Sequence, residues 1–191
     1  LDKTVKTLSN LGVHSFELAK GDYKKAPVVT VENWQPEVPF SRGNSLKKLI
    51  KKSRKELSKK LRKEKGLSKS ESKKAAEAIL GATWDVGHIY QLKKYGFTEK
   101  DVIKETEKIA PKKGKKFLKH VHLTDNFGYH DSHLAPGMGT VPIQDMLKRI
   151  QQSGFEGNYI IESGAVAVDL KMSPIPYAAE GLRNPLYTYE N

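Results

Sequence analysis

Apolar positions along the chain fall into two patterns. Short β-branched or alternating runs occur at 28–31, 82–86, 117–123 and 158–161, and each is predicted to be a strand. The unbroken run at 28–31 suits a strand covered on both faces of a parallel sheet. Helical spacing governs the longer segments. Leu46, Leu49, Ile50, Leu57 and Leu61 mark an amphipathic helix that Asn44 or Ser45 would cap. It should run toward Leu80, with a break near Gly66. Further helices are predicted over 89–95, closed by Gly96; over 98–109, with Thr98 as cap and Asp101 at its third position; and over 142–153, with Ile143, Met146, Leu147 and Ile150 on the buried face. Before residue 28 the pattern is weaker. A short helix over 1–11 stopped by Gly12, then a possible fifth strand over 13–19, is the expectation. Pro174, Pro176 and Pro185 leave room for one short helix over 178–182.

Polar residues with chemical capacity follow the strands. Glu32 and Asn33 end the first, Asp85 and His88 the second, His122 then Asp131 and His133 the third, and Glu162 the fourth. A parallel α/β barrel builds its site this way, at the C-terminal face where strand-to-helix loops meet. An open doubly wound sheet would also bind there, but the chain has no glycine-rich phosphate fingerprint.

Residues 117–139 are the densest stretch, with four of the six histidines, His120, His122, His130 and His133, and with Asp125 and Asp131 among them. Side chains alternate along a strand, so His120 and His122 share a face. Asp85 and His88 stand three apart across Gly87. Imidazole nitrogens and carboxylate oxygens are the donors that zinc, manganese and similar divalent ions accept. The loop over 34–43 carries Glu37, whose direction the pattern leaves open.

Composition narrows the picture. The 191 residues suffice for one domain. No cysteine is present, which excludes a disulfide framework or thiolate site, so any metal must be held by His, Asp and Glu. No apolar run approaches a membrane span and no signal-peptide pattern occurs, so a cytoplasmic location is expected. The formal charge of +12 admits a nucleic-acid partner. Much of the excess, however, lies in residues 46–74, where a solvated amphipathic helix with a basic outer face is the simpler account.

The series V-E-N at 31–33, W-D-V-G-H at 84–88, V-H-L-T-D-N at 121–126, D-S-H-L-A-P-G-M-G at 131–139 and Y-I-I-E at 159–162 resembles the xylose isomerase-like TIM-barrel superfamily. That superfamily includes sugar isomerases and epimerases and the endonuclease IV type of abasic-site nuclease. The match spans 28–164; residues 1–27 match poorly, and 44–81 form the basic helical segment of a single, partial barrel domain. The resemblance implies that Glu32, Asp85, His122 and Glu162 ligate a divalent metal (Mn, Zn, Mg or Co), with His88, Asp131 and His133 as possible ligands of a second ion. It further implies Glu32 and Glu162 as the catalytic acid and base, on strands facing each other across the ring, with His88 and Trp34 contacting substrate. Asp125 and His130 are expected to orient ligands, and His120 to flank the site. The implied reaction is isomerisation or epimerisation of a sugar or sugar phosphate through an enediolate. The alternatives are abasic-site DNA cleavage, or an inactive remnant. The family barrel has eight strands, whereas four to five are legible here. A truncated barrel with exposed sheet edges, relieved by self-association or a completing partner, is therefore expected.

Overall fold

In the computed structural model of the chain, residues 1–114 and 116–184 are described. Four strands form one sheet in the order β1 (Val29–Glu32), β2 (Leu80–Asp85), β3 (Leu118–Leu123) and β4 (Asn158–Ile161), each parallel to the next. Sequential parallel order with helical crossovers is barrel topology. Among the described residues the sheet does not close, and β1 and β4 are its edges.

The crossover from β1 to β2 uses two helices, α2 (Gly43–Lys65) and α3 (Lys69–Ile79), separated at Gly66, which takes φ +70°. Ser68 and Glu71 form a reciprocal capping box that starts α3. Between β2 and β3 lie α4 (Val86–Tyr90), a 3-10 turn (Gln91–Tyr95) and α5 (Glu99–Ile109), which opens with the Thr98–Asp101 capping box that the sequence predicts. The helix α6 (Ile143–Gln152) joins β3 to β4, and α7 (Gly164–Val168) and α8 (Pro174–Gly181) follow. Two apolar clusters hold these layers. One packs Trp84, Val121 and Leu123 of the sheet against Leu46, Ile50, Val102 and Met146 of the helices; the other joins α1 (Asp2–Leu18) to α2 and α3 through Leu8, Val13, Phe16, Leu57, Ala76 and Ile79.

Several expectations need correction. Gly12 does not stop a helix and 13–19 is not a strand: α1 runs through to Leu18, so among the described residues there are four strands. A Cβ at Gly12 would overlap the buried Leu57 side chain, so this glycine serves close helix packing. Neither Asn44 nor Ser45 caps α2. Its N-terminus is met by a distant residue, Glu105 of α5, whose carboxylate accepts from the Gly43 N–H at 2.8 Å. Leu80, toward which the helix is expected to run, instead opens β2, and α8 begins at Pro174, as proline at a first helical position allows. Pro185 lies outside the described residues.

Candidate metal centre

The strand register explains how the site forms. Glu32 pairs with Thr83, Asp85 with His122, and His122 with Ile160. Paired residues of parallel strands point the same way, so Glu32, Asp85 and His122 emerge on one face, at the C-terminal end of the sheet. Glu162 directly follows β4 on that face, and its N–H is held by the Leu123 carbonyl. Four successive strands thus each deliver one donor, and atoms of Glu32, Asp85, His122 and Glu162 lie within 4.8 Å of one another. His122 Nδ1 is 3.1 Å from Glu32 Oε1 and 3.1 Å from Glu162 Oε1. The two glutamates stand on the sheet's two edges rather than across a closed ring, yet both reach the same imidazole.

Asp85 is fully buried and highly constrained. Its Oδ1 accepts from the His88 N–H at 2.8 Å and from the Thr124 hydroxyl at 2.9 Å, while its Oδ2 is buried with no hydrogen-bond partner. A buried carboxylate oxygen left unsatisfied costs on the order of 1–3 kcal/mol. A cation between Asp85 and its three neighbours would satisfy it, so the donor set fits a divalent ion. The electrostatics agree. Burial pushes Asp85 above the usual carboxylate range, with the nearby His88 opposing. Burial likewise raises Glu32; His122 and His88 oppose, and the charges of Asp85 and Glu162 add to the rise. Carboxylates that resist ionising together form a set that a positive ion would relieve.

Asn33 braces the donor residues in a way that the strand pattern does not explain. Its side chain accepts from the Asp85 N–H at 2.7 Å and donates to the Asp85 carbonyl at 3.0 Å, and its own carbonyl lies 2.8 Å from His88 Nδ1. Its place directly after Glu32 was the only signal. Thr124 and Asn126 are similar: buried polar residues following β3 that hold Asp85 and the Gly87 carbonyl. Gly87 provides room rather than a turn, because a Cβ there would overlap the Thr124 hydroxyl.

His88, Asp131 and His133 form a second group beside the first. Asp131 Oδ2 is 2.9 Å from His88 Nε2 and 3.0 Å from His133 Nε2, and Asp131 Oδ1 is buried without a partner. Burial works against a charged His88, but the hydrogen bond to Asp131 and the charge of Asp85 outweigh it and push His88 up to about 9. Burial also opposes ionisation of Asp131, and His88 and His133 reverse that, holding it below the usual range. His133 adopts φ +44°, an uncommon conformation for a residue with a side chain, and its neighbour Leu134 is clamped by two main-chain hydrogen bonds to Asp125.

Trp34 is half exposed, with its ring 4.9 Å from that of His88. Asp125 and His130 make no hydrogen bond to the donor side chains, and Asp125 acts on their loop instead. The Asp125 carboxylate accepts from the N–H groups of Asn126, Gly137 and Val141, fixing the loop that carries Asp131 and His133; His130 is exposed and engages Ser132 only through its main-chain oxygen. His120 shares the His122 face and joins neither donor group. Glu37 turns to Lys94, 3.0 Å away.

A parallel α/β sheet that gathers carboxylates and imidazoles at its C-terminal end is the arrangement of barrel enzymes. Residues 62–184 match the family described as xylose isomerase-like TIM barrel, and the chain belongs to that family. Over 45 residues it is 37% identical to the fructoselysine 3-epimerases of Escherichia coli O157:H7 and Shigella flexneri; the aligned segment spans 24% of this chain and 16% of each relative. A crystal structure titled as a D-tagatose 3-epimerase-like protein superposes with a TM-score of 0.44 at 21% identity, covering 93% of this chain and 70% of that one. No described helix is long and apolar enough to cross a membrane.

Proposed function

We propose that the chain is a divalent-metal-dependent isomerase or epimerase acting on a sugar or sugar phosphate. The observation that carries this reading is the convergence of Glu32, Asp85, His122 and Glu162 from four consecutive strands, with a buried Asp85 oxygen left without a donor. These four residues would hold the ion, which when bound supplies Lewis-acid polarisation of a carbonyl and an adjacent hydroxyl. The relatives matched over the short segment are both fructoselysine 3-epimerases, which supports the reading.

The chain's own groups then account for proton movement. Glu32 and Glu162 are a third exposed and reach the cleft from opposite edges of the sheet. One takes a proton from the carbon beside the carbonyl and the other returns one, passing through an enediolate. His88 is engaged at both ring nitrogens, by the Asn33 carbonyl and by Asp131, so a substrate hydroxyl would meet it by taking the place of Asp131 at Nε2, and the Trp34 indole offers an apolar face to the sugar's C–H surface.

A second reading, hydrolysis of an abasic-site phosphodiester, is favoured by one observation: the separate group of His88, Asp131 and His133, which could take a further ion. Metal content per chain distinguishes the two. One ion, lost in His122→Ala, accompanied by substrate–solvent hydrogen exchange that stops in Glu162→Gln, supports the isomerase reading. Two or more ions with cleavage of an abasic duplex overturns it, as does undiminished exchange in Glu162→Gln.

A further inference from the structure

At the opposite end of the sheet from the metal centre lies a groove of about 860 Å³ between α2, α3 and the turn that leads into β3. Phe117, in its floor, immediately precedes β3, whereas His122 is near that strand's far end. The six residues of β3 separate the groove from the site by roughly 20 Å.

Nine basic side chains and one carboxylate, Glu77, line it among the described residues. Their placement is ordered. Lys51, Lys55 and Lys59 follow one another at intervals of four along α2, and Lys69 and Lys73 repeat that interval on α3. Four residues advance a helix by about 6 Å, so each wall presents a row of charges rather than a scatter. Ser58 and Ser72 hydroxyls meet at 2.9 Å and hold the two walls together.

The floor is fixed. Arg54 is 6% exposed, and its guanidinium donates to the main-chain carbonyls of Leu80, Lys116 and Glu77. It also lies over the Phe117 ring, 5.5 Å from its centroid. Some lysines are already engaged: Lys47 donates to the Lys108 carbonyl and Lys59 pairs with Glu56. Lys51, Lys55, Arg62, Lys69, Lys73 and Lys113 remain as the cations that a ligand would meet.

We propose that this groove binds a single-stranded nucleic acid through its phosphates. Two rows of charge on a concave surface match a linear polyanion. A groove of this volume holds a few nucleotides of one strand and is too small to seat a duplex. A bilayer fits less well: the exposed large apolar residues include none between Gly43 and Ile79, so these helices carry no group to insert among acyl chains. Phe117 is 3% exposed and offers no platform for base stacking, so binding is independent of sequence.

The test is fluorescence anisotropy of labelled oligothymidylate titrated with the full chain across a salt series. Six phosphate contacts give a slope of log affinity against log salt of about −4 for a single strand. The triple variant Lys51→Glu, Lys55→Glu, Lys73→Glu should lose more than about tenfold in affinity and flatten the slope by about 2. A charge-matched variant on exposed lysines elsewhere, Lys3→Glu, Lys100→Glu, Lys148→Glu, should keep the steep slope. Metal content should be the same in all three proteins. Equal losses in both variants would reduce the effect to net charge and overturn the proposal. So would the absence of saturable binding, or capture by phosphatidylserine vesicles without oligothymidylate binding.

Discussion

Asn33 and Asp85 grip each other through two hydrogen bonds between the Asn33 side chain and the Asp85 main chain, at 2.7 and 3.0 Å. These bonds set the end of β1 against the end of β2, and the Asn33 carbonyl fixes the His88 ring as well. Asn33→Leu preserves approximate volume but removes both partners of a buried peptide group. The expected result is a metal affinity lowered about 10- to 100-fold, in the range seen for groups that orient ligands. Calorimetric titration with manganese or zinc measures this, and unchanged affinity would mean that the two strand ends hold their register without the bridge.

Gly87 gives a second, steric test of the same geometry. Adding a methyl group there must displace the Thr124 hydroxyl from Asp85 Oδ1. Gly87→Ala gains up to about 1 kcal/mol in helix propensity and loses about 1–3 kcal/mol to overpacking. Net destabilisation with impaired metal binding is expected in urea unfolding and metal titration. A variant more stable than the parent would show that Thr124 moves freely.

Glu105 predicts how stability depends on pH. Burial raises its pKa, but hydrogen bonds from Arg42, Lys108 and the Gly43 N–H more than compensate, and the carboxyl is held below its ordinary range. A depressed folded-state value stabilises the protein above the unfolded value of roughly 4.3, and that stabilisation disappears as pH falls through the folded value. Glu105→Gln should therefore cost about 2 kcal/mol near neutrality, with the gap to the parent closing in acid. Paired urea melts at neutral and acidic pH check it; a gap that does not change with pH would assign the loss to packing alone.

The outer strand β4 predicts association. Tyr159, Ile160 and Ile161 are each about 40% exposed, and Val168 and Ile175 more so. An edge strand of this kind invites pairing. Small-angle scattering over a concentration series should show growth in mass that Ile161→Lys suppresses. A monodisperse monomer at all concentrations would remove the expectation of self-association.

Much of this architecture is legible in the chain because its signals are local. The runs at 82–86, 117–123 and 158–161 have strand character in themselves, and the residue types that follow them announce the donors. The capping box at Thr98 and Asp101 is likewise written within four residues. What is not legible depends on distant partners. Gly12 resembles a helix stop until Leu57 is seen packed over it, and the start of α2 has no cap of its own because Glu105 supplies one from 62 residues away. Asn33 could be seen at a strand end, but its partner is the main chain of another strand, which no side-chain pattern records.

The distribution of the four donors across the whole sheet has a further consequence. Glu32 belongs to one edge, Glu162 to the other, and Asp85 and His122 to the strands between. An ion held by all four would be a transverse staple, cross-linking every strand of an otherwise open sheet. Ligand binding to the folded state alone adds about 2.7 kcal/mol at a hundredfold excess over the dissociation constant. Stripping the protein with a chelator should therefore lower the midpoint of unfolding as a whole, restored by re-addition of the ion in the parent but not in Asp85→Asn. The four strands of the described residues, already joined by hydrogen bonds, would then be joined a second time by coordination.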